Sequence, residues 1–189
     1  MSNISPKCRS ITVVAFRGDR SRSYAATIQG KLAAEKAGVG AGPTPHECLR
    51  FAGHTGVSTD GGTTLYGFHP DAPSVPVWQL LHNLKNGDAF PGIVRDDTAV
   101  FAAASSRGLP LLSFEVLLPD PRFQDFKAAL DAECQKSQYD YGFPNGDGDC
   151  NCTTWLERLG LPLLTGRMNE FVGLPGFSSH PSRRFGRCV

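Results

Sequence analysis

The chain has 189 residues, with 19 Lys and Arg against 18 Asp and Glu. That length suits one domain, whose folding covers about 70% of the surface that the unfolded chain exposes. The balanced charge excludes a nucleic acid or anionic membrane held by bulk electrostatics, and no apolar run approaches the roughly 20 residues of a membrane-spanning helix.

Met1 to Ser10 is polar and lacks the apolar centre of a secretory signal. The expectation is a chain made in the cytoplasm without a cleaved signal peptide; action outside the cell would need another export route. Ile11 to Phe16 is β-branched and apolar and predicts a strand. Tyr24 to Ala37 predicts a helix, with Tyr24, Ile28 and Leu32 on one stripe. A Gly-rich loop follows over 38–43. Leu49 to Ser58 then reads as a strand, Thr59-Asp60-Gly61-Gly62 as a turn and Thr63 to Phe68 as the return strand. This hairpin carries His54 on its first arm and His69 at the end of its second.

Pro70 to Pro76 reads as a loop and Val77 to Leu84 as a short helix. Thr98 to Ser105 and Leu111 to Leu118 read as two more strands around Arg107-Gly108. Asp120 is placed as an N-cap with Pro121 at the first helical position. Phe123, Phe126, Leu130 and Cys134 follow at helical spacing. A polar Gly-rich loop, Asn145 to Gly148, then runs into Cys150-Asn151-Cys152-Thr153-Thr154-Trp155, which reads as the mouth of a helix closed by Gly160 and Pro162. Thr165 is placed as the cap of a last short helix with Met168, Phe171 and Val172. The rest is expected to be irregular, with Arg183, Arg184 and Arg187 in a solvated tail.

The order read in this way is strands first, then helices. It predicts an α+β domain in which a mainly antiparallel sheet packs against helices, including the one bearing Cys152. The expectation is a single domain over 1–189, with a catalytic core over roughly 45–175 and an irregular tail over 176–189.

Six cysteines occur: Cys8, Cys48, Cys134, Cys150, Cys152 and Cys188. The chain is long enough to fold without disulfides and the spacing is irregular, so mostly reduced thiols are expected. In the first turn of a helix, unpaired N–H groups and the helix dipole favour negative charge, so Cys152 is placed to become a nucleophilic thiolate. Such a thiol needs a base, and histidine is the usual one. Of the five histidines, His54 lies among small residues in Gly53-His54-Thr55-Gly56, and His69 ends the partner strand.

Gly53-His54-Thr55-Gly56-Val57 on a hairpin, Tyr66-Gly67-Phe68-His69-Pro70 on its return strand and Asn151-Cys152-Thr153-Thr154-Trp155 on a late helix form a pattern. It resembles the circularly permuted papain-like cysteine hydrolases, the permuted relatives of NlpC-type cell-wall endopeptidases and of lecithin–retinol acyltransferase. The resemblance spans roughly residues 49 to 160. It implies Cys152 as nucleophile and His54 as base. His69 matches the orienting third group by position, with Asp71 as fallback. The oxyanion would be held by the Cys152 N–H plus a donor from Asn151 or Tyr139. Cys150 is the rival thiol. Members of similar size include antibacterial effectors of type VI secretion. The resemblance therefore implies amide cleavage, in cell-wall peptides, by a secreted toxin, with an immunity protein and a secretion machine as partners. No cofactor and no metal are implied.

Four other readings compete. The run Asn145 to Asn151 alternates oxygen ligands like a calcium loop, but Cys150 and Leu156 stand where an EF-hand needs Gly and Glu. Cys150, Cys152, His54 and His69 form a candidate zinc set with a tight Cys-x-Cys spacing. In a non-catalytic interaction module the same residues would be structural, and in a lipid or protein acyl hydrolase or acyltransferase of the same fold they would serve a different acyl group.

Overall fold

The computed structural model describes residues 7–142 and 150–161. The elements alternate: β1 (Cys8–Arg17), α1 (Arg22–Lys36), α2 (Pro45–Ala52), β2 (Gly53–Ser58), β3 (Tyr66–Pro70), α3 (Val77–Lys85), β4 (Phe90–Asp96), α4 (Thr98–Ser106), β5 (Leu111–Pro119), α5 (Asp120–Gln135), β6 (Asp140–Tyr141) and α6 (Thr154–Arg158). Among the described residues, six strands form one sheet in the order β5-β1-β2-β3-β4-β6, with every strand pair antiparallel. The fold is α+β. No helix among the described residues is long and apolar enough to cross a membrane.

The period-2 alternation of β1 divides the core between the two faces of the sheet. Ile11, Val13 and Ala15 join Phe123, Phe126 and Leu130 of α5 and Trp155 and Leu156 of α6 on one face. Val14 and Phe16 join Val100, Phe101 and Ala104 of α4 on the other. Trp155 is fully buried and stacks on Phe68 with ring centroids 5.4 Å apart. Deleting such a ring from a core costs about 3–5 kcal/mol, so this stack is a strong anchor for the segment that presents Cys152.

Several expected elements are corrected. The order is not strands followed by helices. Residues 49–52 are helical rather than the start of a strand, because Thr44 and Glu47 form a reciprocal capping box with Pro45 in the first turn. Thr63 and Thr64 stay in the turn, where the Thr64 N–H donates to Asp60 Oδ1, and the return strand begins at Tyr66. Thr98 to Ser105 forms helix α4, not a strand; its apolar run is rich in alanine, which favours helix. β4 was not expected, since Pro91 and Gly92 obscure its pattern. Helix α5 starts at Asp120 with Pro119 at the capping position and no side-chain cap. Glu133 is buried on α5 and Cys134 is exposed. The Glu133 carboxylate tolerates burial by accepting from Ser137 Oγ and the Gln138 N–H. The loop at 145–148, the helix placed after Thr165 and the tail lie outside the described residues. Cys48, Cys134, Cys150 and Cys152 are outside any disulfide, and Cys8 is disulfide-bonded.

Candidate active site

α2 ends at Gly53, whose φ of 87° is in the left-handed region that glycine enters without strain. The chain turns there from helix into strand, and His54 is the next residue. β2 and β3 pair through Gly56↔Gly67 and Val57↔Tyr66. Continued along the hairpin, that register sets His54 opposite His69, and their ring centroids are 4.8 Å apart.

The two imidazoles converge on one acceptor. Asp97 Oδ2 lies 2.8 Å from His54 Nε2 and 2.6 Å from His69 Nε2. An ionised carboxylate only accepts, so both Nε2 atoms carry a proton. Asp97 occupies the capping position of α4 but makes no cap bond. The neighbouring Asp96 accepts from the Thr98 N–H at 2.9 Å in its place. Asp97 is thereby free to serve the histidines.

With Nε2 turned to Asp97, His54 meets Cys152 through Nδ1. Burial raises the Cys152 pKa, but the charge and hydrogen bond of His54 outweigh it, assisted by the Thr55 N–H and the Thr153 hydroxyl; the thiol titrates below its ordinary value. Burial likewise opposes charge on His54, yet the Cys152 thiolate and Asp97 push the imidazole up to about 9. For Asp97, burial is outweighed by the hydrogen bonds from His54 and His69, which hold its carboxyl far below the usual range. His69 falls below its ordinary value, because burial outweighs its bond to Asp97. These shifts favour a Cys152 thiolate beside a His54 imidazolium, next to an ionised Asp97 and a neutral His69.

β2 contributes to both sides of this arrangement. His54 packs near Phe101 on one face, with ring centroids 5.8 Å apart. The next residue, Thr55, points to the other face, where its hydroxyl lies 3.1 Å from that of Thr153. Asn151 sets the turn that presents Cys152. Its Oδ1 accepts from the N–H groups of Thr153 and Thr154, each at 2.9 Å, and its carbonyl accepts from the Trp155 N–H. Helix α6 is only five residues long and Cys152 precedes it. The imidazolium, rather than a long helix dipole, is therefore what lowers the thiol pKa.

The residues expected at the site divide accordingly. Cys152, His54 and His69 come together and line one cavity. Asn151 is fully buried as a cap and does not line that cavity. Tyr139 packs against the core, its carbonyl accepting from the Gly92 N–H. Asp71 is exposed and lies beyond β3, while Asp97 holds the place against His54 for which Asp71 was the fallback. Cys150 is buried in the core beside Trp155, its thiol 3.6 Å from the Asp140 carbonyl. The four-residue zinc set is therefore not gathered, whereas His54, His69 and Asp97 hold donor atoms within 4.8 Å of one another. Their mutual hydrogen bonds already account for that closeness. The calcium-like run falls mostly outside the described residues.

Asp97, Thr55, Thr153 and Tyr141 were not anticipated. Tyr141 lines the cavity, and its hydroxyl pKa is raised by burial and by the nearby Cys152 thiolate. The Asp96-Asp97-Thr98 run ahead of an alanine-rich stretch is the helix-start signal that would have exposed Asp97.

No family model matches the chain, and neither does any curated protein or solved structure.

Gly67 gives a direct test of how tightly the site is assembled. A Cβ there would overlap Asp97 Oδ2 and His54 Nε2. Gly67→Ala is expected to push these groups apart, to lower stability by about 1–3 kcal/mol and to abolish the fast thiol reactivity of Cys152. Thermal melting and alkylation rates measure the two effects; unchanged alkylation would show that the His54–Asp97 contact is not needed.

Proposed function

We propose that this protein is a cysteine hydrolase or acyltransferase in which Cys152 is the nucleophile, His54 the acid–base and Asp97 the group that orients His54. The observation that carries it is the chain of contacts from the buried thiol through His54 to Asp97, ending in a cavity. A thiol, a base within reach and a third group orienting the base are the parts that acyl transfer needs. The thiolate attacks a carbonyl, the His54 imidazolium protonates the leaving group, and water or another acceptor resolves the thioester.

His69 acts one step further out. It donates to the same oxygen of Asp97 and fixes the carboxylate, rather than touching His54 through a hydrogen bond. Tyr141 and backbone N–H groups near Cys152 are the candidates for stabilising an oxyanion. The permuted papain-like architecture belongs to this proposal. It is supported by the antiparallel sheet with His54 on an upstream hairpin and Cys152 ahead of a downstream helix. Cleavage of a cell-wall peptide amide by a secreted antibacterial effector is proposed on the motif resemblance alone.

The test is reactivity before any substrate is known. Iodoacetamide at pH 7 is expected to label Cys152 first, since its thiol pKa is lowered, whereas burial pushes Cys48 up to about 11 and partial burial with the Asp131 and Glu133 carboxylates pushes Cys134 up to about 11. Peptide mapping reads the site of labelling. Equal, slow labelling of all thiols would sink the mechanism.

A further inference from the structure

The cavity that reaches Cys152 has a volume of about 840 Å³, within the roughly 300–1,000 Å³ of sites built for small molecules. Cys152, His54 and His69 line it, and so do Arg20, Glu35 and Arg95. The last three bring charge to a wall that is otherwise mostly apolar, and they are not equally occupied. Glu35 is taken up by the start of α3: its Oε1 accepts from the Val77 N–H at 3.2 Å and its Oε2 from the Trp78 N–H at 2.9 Å. Arg20 stacks over Phe51, 4.6 Å from the ring centroid. Arg95 differs. Among the described residues, no carboxylate lies within ion-pair distance of its guanidinium and no group accepts a hydrogen bond from it.

The sheet register places this cation at the histidines. β4 sets Arg95 opposite Gly67 of β3, and Ile93 opposite His69. Arg95 and His69 are therefore diagonal neighbours on one face of the sheet. Burial lowers the His69 pKa most, and the charges of His54 and Arg95 add to that effect. Arg95 is exposed, so water solvates it while the cavity is empty. A substrate that displaces this water must offer an acceptor in its place. The planar fork of a guanidinium matches a carboxylate through two parallel N–H···O bonds. One guanidinium also balances one negative charge, whereas a phosphate monoester carries about 1.5 to 2.

We infer that Arg95 determines specificity by binding a carboxylate on the leaving part of the substrate, so that the chain acts on an anionic amide or ester. This rests on the reading of Cys152, His54 and Asp97 as a hydrolytic centre. His54 must reach the leaving atom to protonate it, so the leaving part lies on the histidine side of the thiol, where Arg95 stands. Cys152 Sγ forms a bond to the carbonyl carbon, the bond from that carbon to the leaving nitrogen or oxygen breaks, and the His54 proton goes to the departing atom. The departing piece keeps its carboxylate. Water then attacks the thioester and gives one proton to His54, and the carbon–sulfur bond breaks. The thiolate–imidazolium pair is restored.

The test compares two acetyl esters of similar shape, those of 3-hydroxybenzoate and 3-hydroxybenzamide, each rate divided by its rate in buffer. The wild-type chain is expected to favour the benzoate ester by about tenfold in kcat/KM. Arg95→Gln should bring this ratio close to one, Arg95→Glu should bring it below one, and Arg95→Lys should keep part of it. A second measurement needs no turnover: alkylation of Cys152 by iodoacetylglycine against iodoacetylglycinamide, with the site read by peptide mapping. The same order of variants is expected. A preference for the carboxylate reagent that Arg95→Gln removes, with neither ester turned over, supports the carboxylate site and overturns the hydrolase. Cys152-dependent turnover of both esters, with the same ratio in wild type and Arg95→Gln, overturns this inference and leaves the hydrolase standing.

Discussion

Replacing Cys152 by alanine is expected to lower turnover by about 10⁴–10⁶-fold, and His54→Ala by a similar factor, because the covalent bond forms on Cys152 and the proton moves through His54. The two variants should not be additive, since each residue works only through the other. Their effects on the fold should differ. Cys152→Ala deletes one buried sulfur and costs about 1 kcal/mol. His54→Ala also takes one of two donors from the buried Asp97 carboxylate, which adds about 1–3 kcal/mol. Cys152→Ala is therefore the cleaner probe. It carries a second readout, because the thiolate is the leading cause that holds His54 up at about 9 against burial. Without it, the His54 titration followed by NMR should move down. A fully active Cys152→Ala chain would end the proposal, and an unmoved His54 titration would break the link between the two residues.

The sequence exposed one corner of this site better than the other. Cys152 and His54 stand out because their local sequences carry physical signals: a turn-forming Asn151 before a buried apolar run, and small residues on both sides of a histidine. His69 was visible for the same reason, since hairpin register is a local property. Asp97 was not. It lies 43 positions from His54 and 55 before Cys152, and its importance comes only from the pairing of β3 with β4. Reading Thr98 to Ser105 as a strand hid the fact that Asp97 opens a helix. The apolar cavity was equally hidden. Much of its wall comes from α1, α2 and α3, with Arg20, Glu35 and Arg95 among the lining groups, and helix stripes look the same whether they face a core or a ligand. The helix dipole at Cys152 was a reasonable local argument, but α6 proved too short to carry it, and the electrostatics came from His54 instead.

Asp97→Ala is expected to cost about 10²–10⁴-fold in turnover, and its pH profile should show why. In the wild-type chain, activity needs the thiolate and the imidazolium together. It should rise as pH increases through the lowered Cys152 pKa and fall as pH increases through about 9, where His54 gives up its proton. Asp97 helps to hold His54 charged, so Asp97→Ala should move the alkaline limb to lower pH. It should also let the ring turn, since Nε2 loses its acceptor. Asp97→Asn separates these effects. The carboxamide oxygen can still accept from both Nε2–H groups, so orientation survives while the negative charge is lost. The asparagine variant should recover much of the turnover but keep the downshifted alkaline limb. Stability should follow a different pH range. The depressed pKa of Asp97 contributes stability that is present above the unfolded carboxyl value of about 3.9 and is lost as pH falls through its folded value, so Asp97→Ala should flatten the acid side of the melting curve. Equal damage from alanine and asparagine would mean that the charge itself is required. No damage from either would remove Asp97 from the mechanism and leave His54 to act with Cys152 alone.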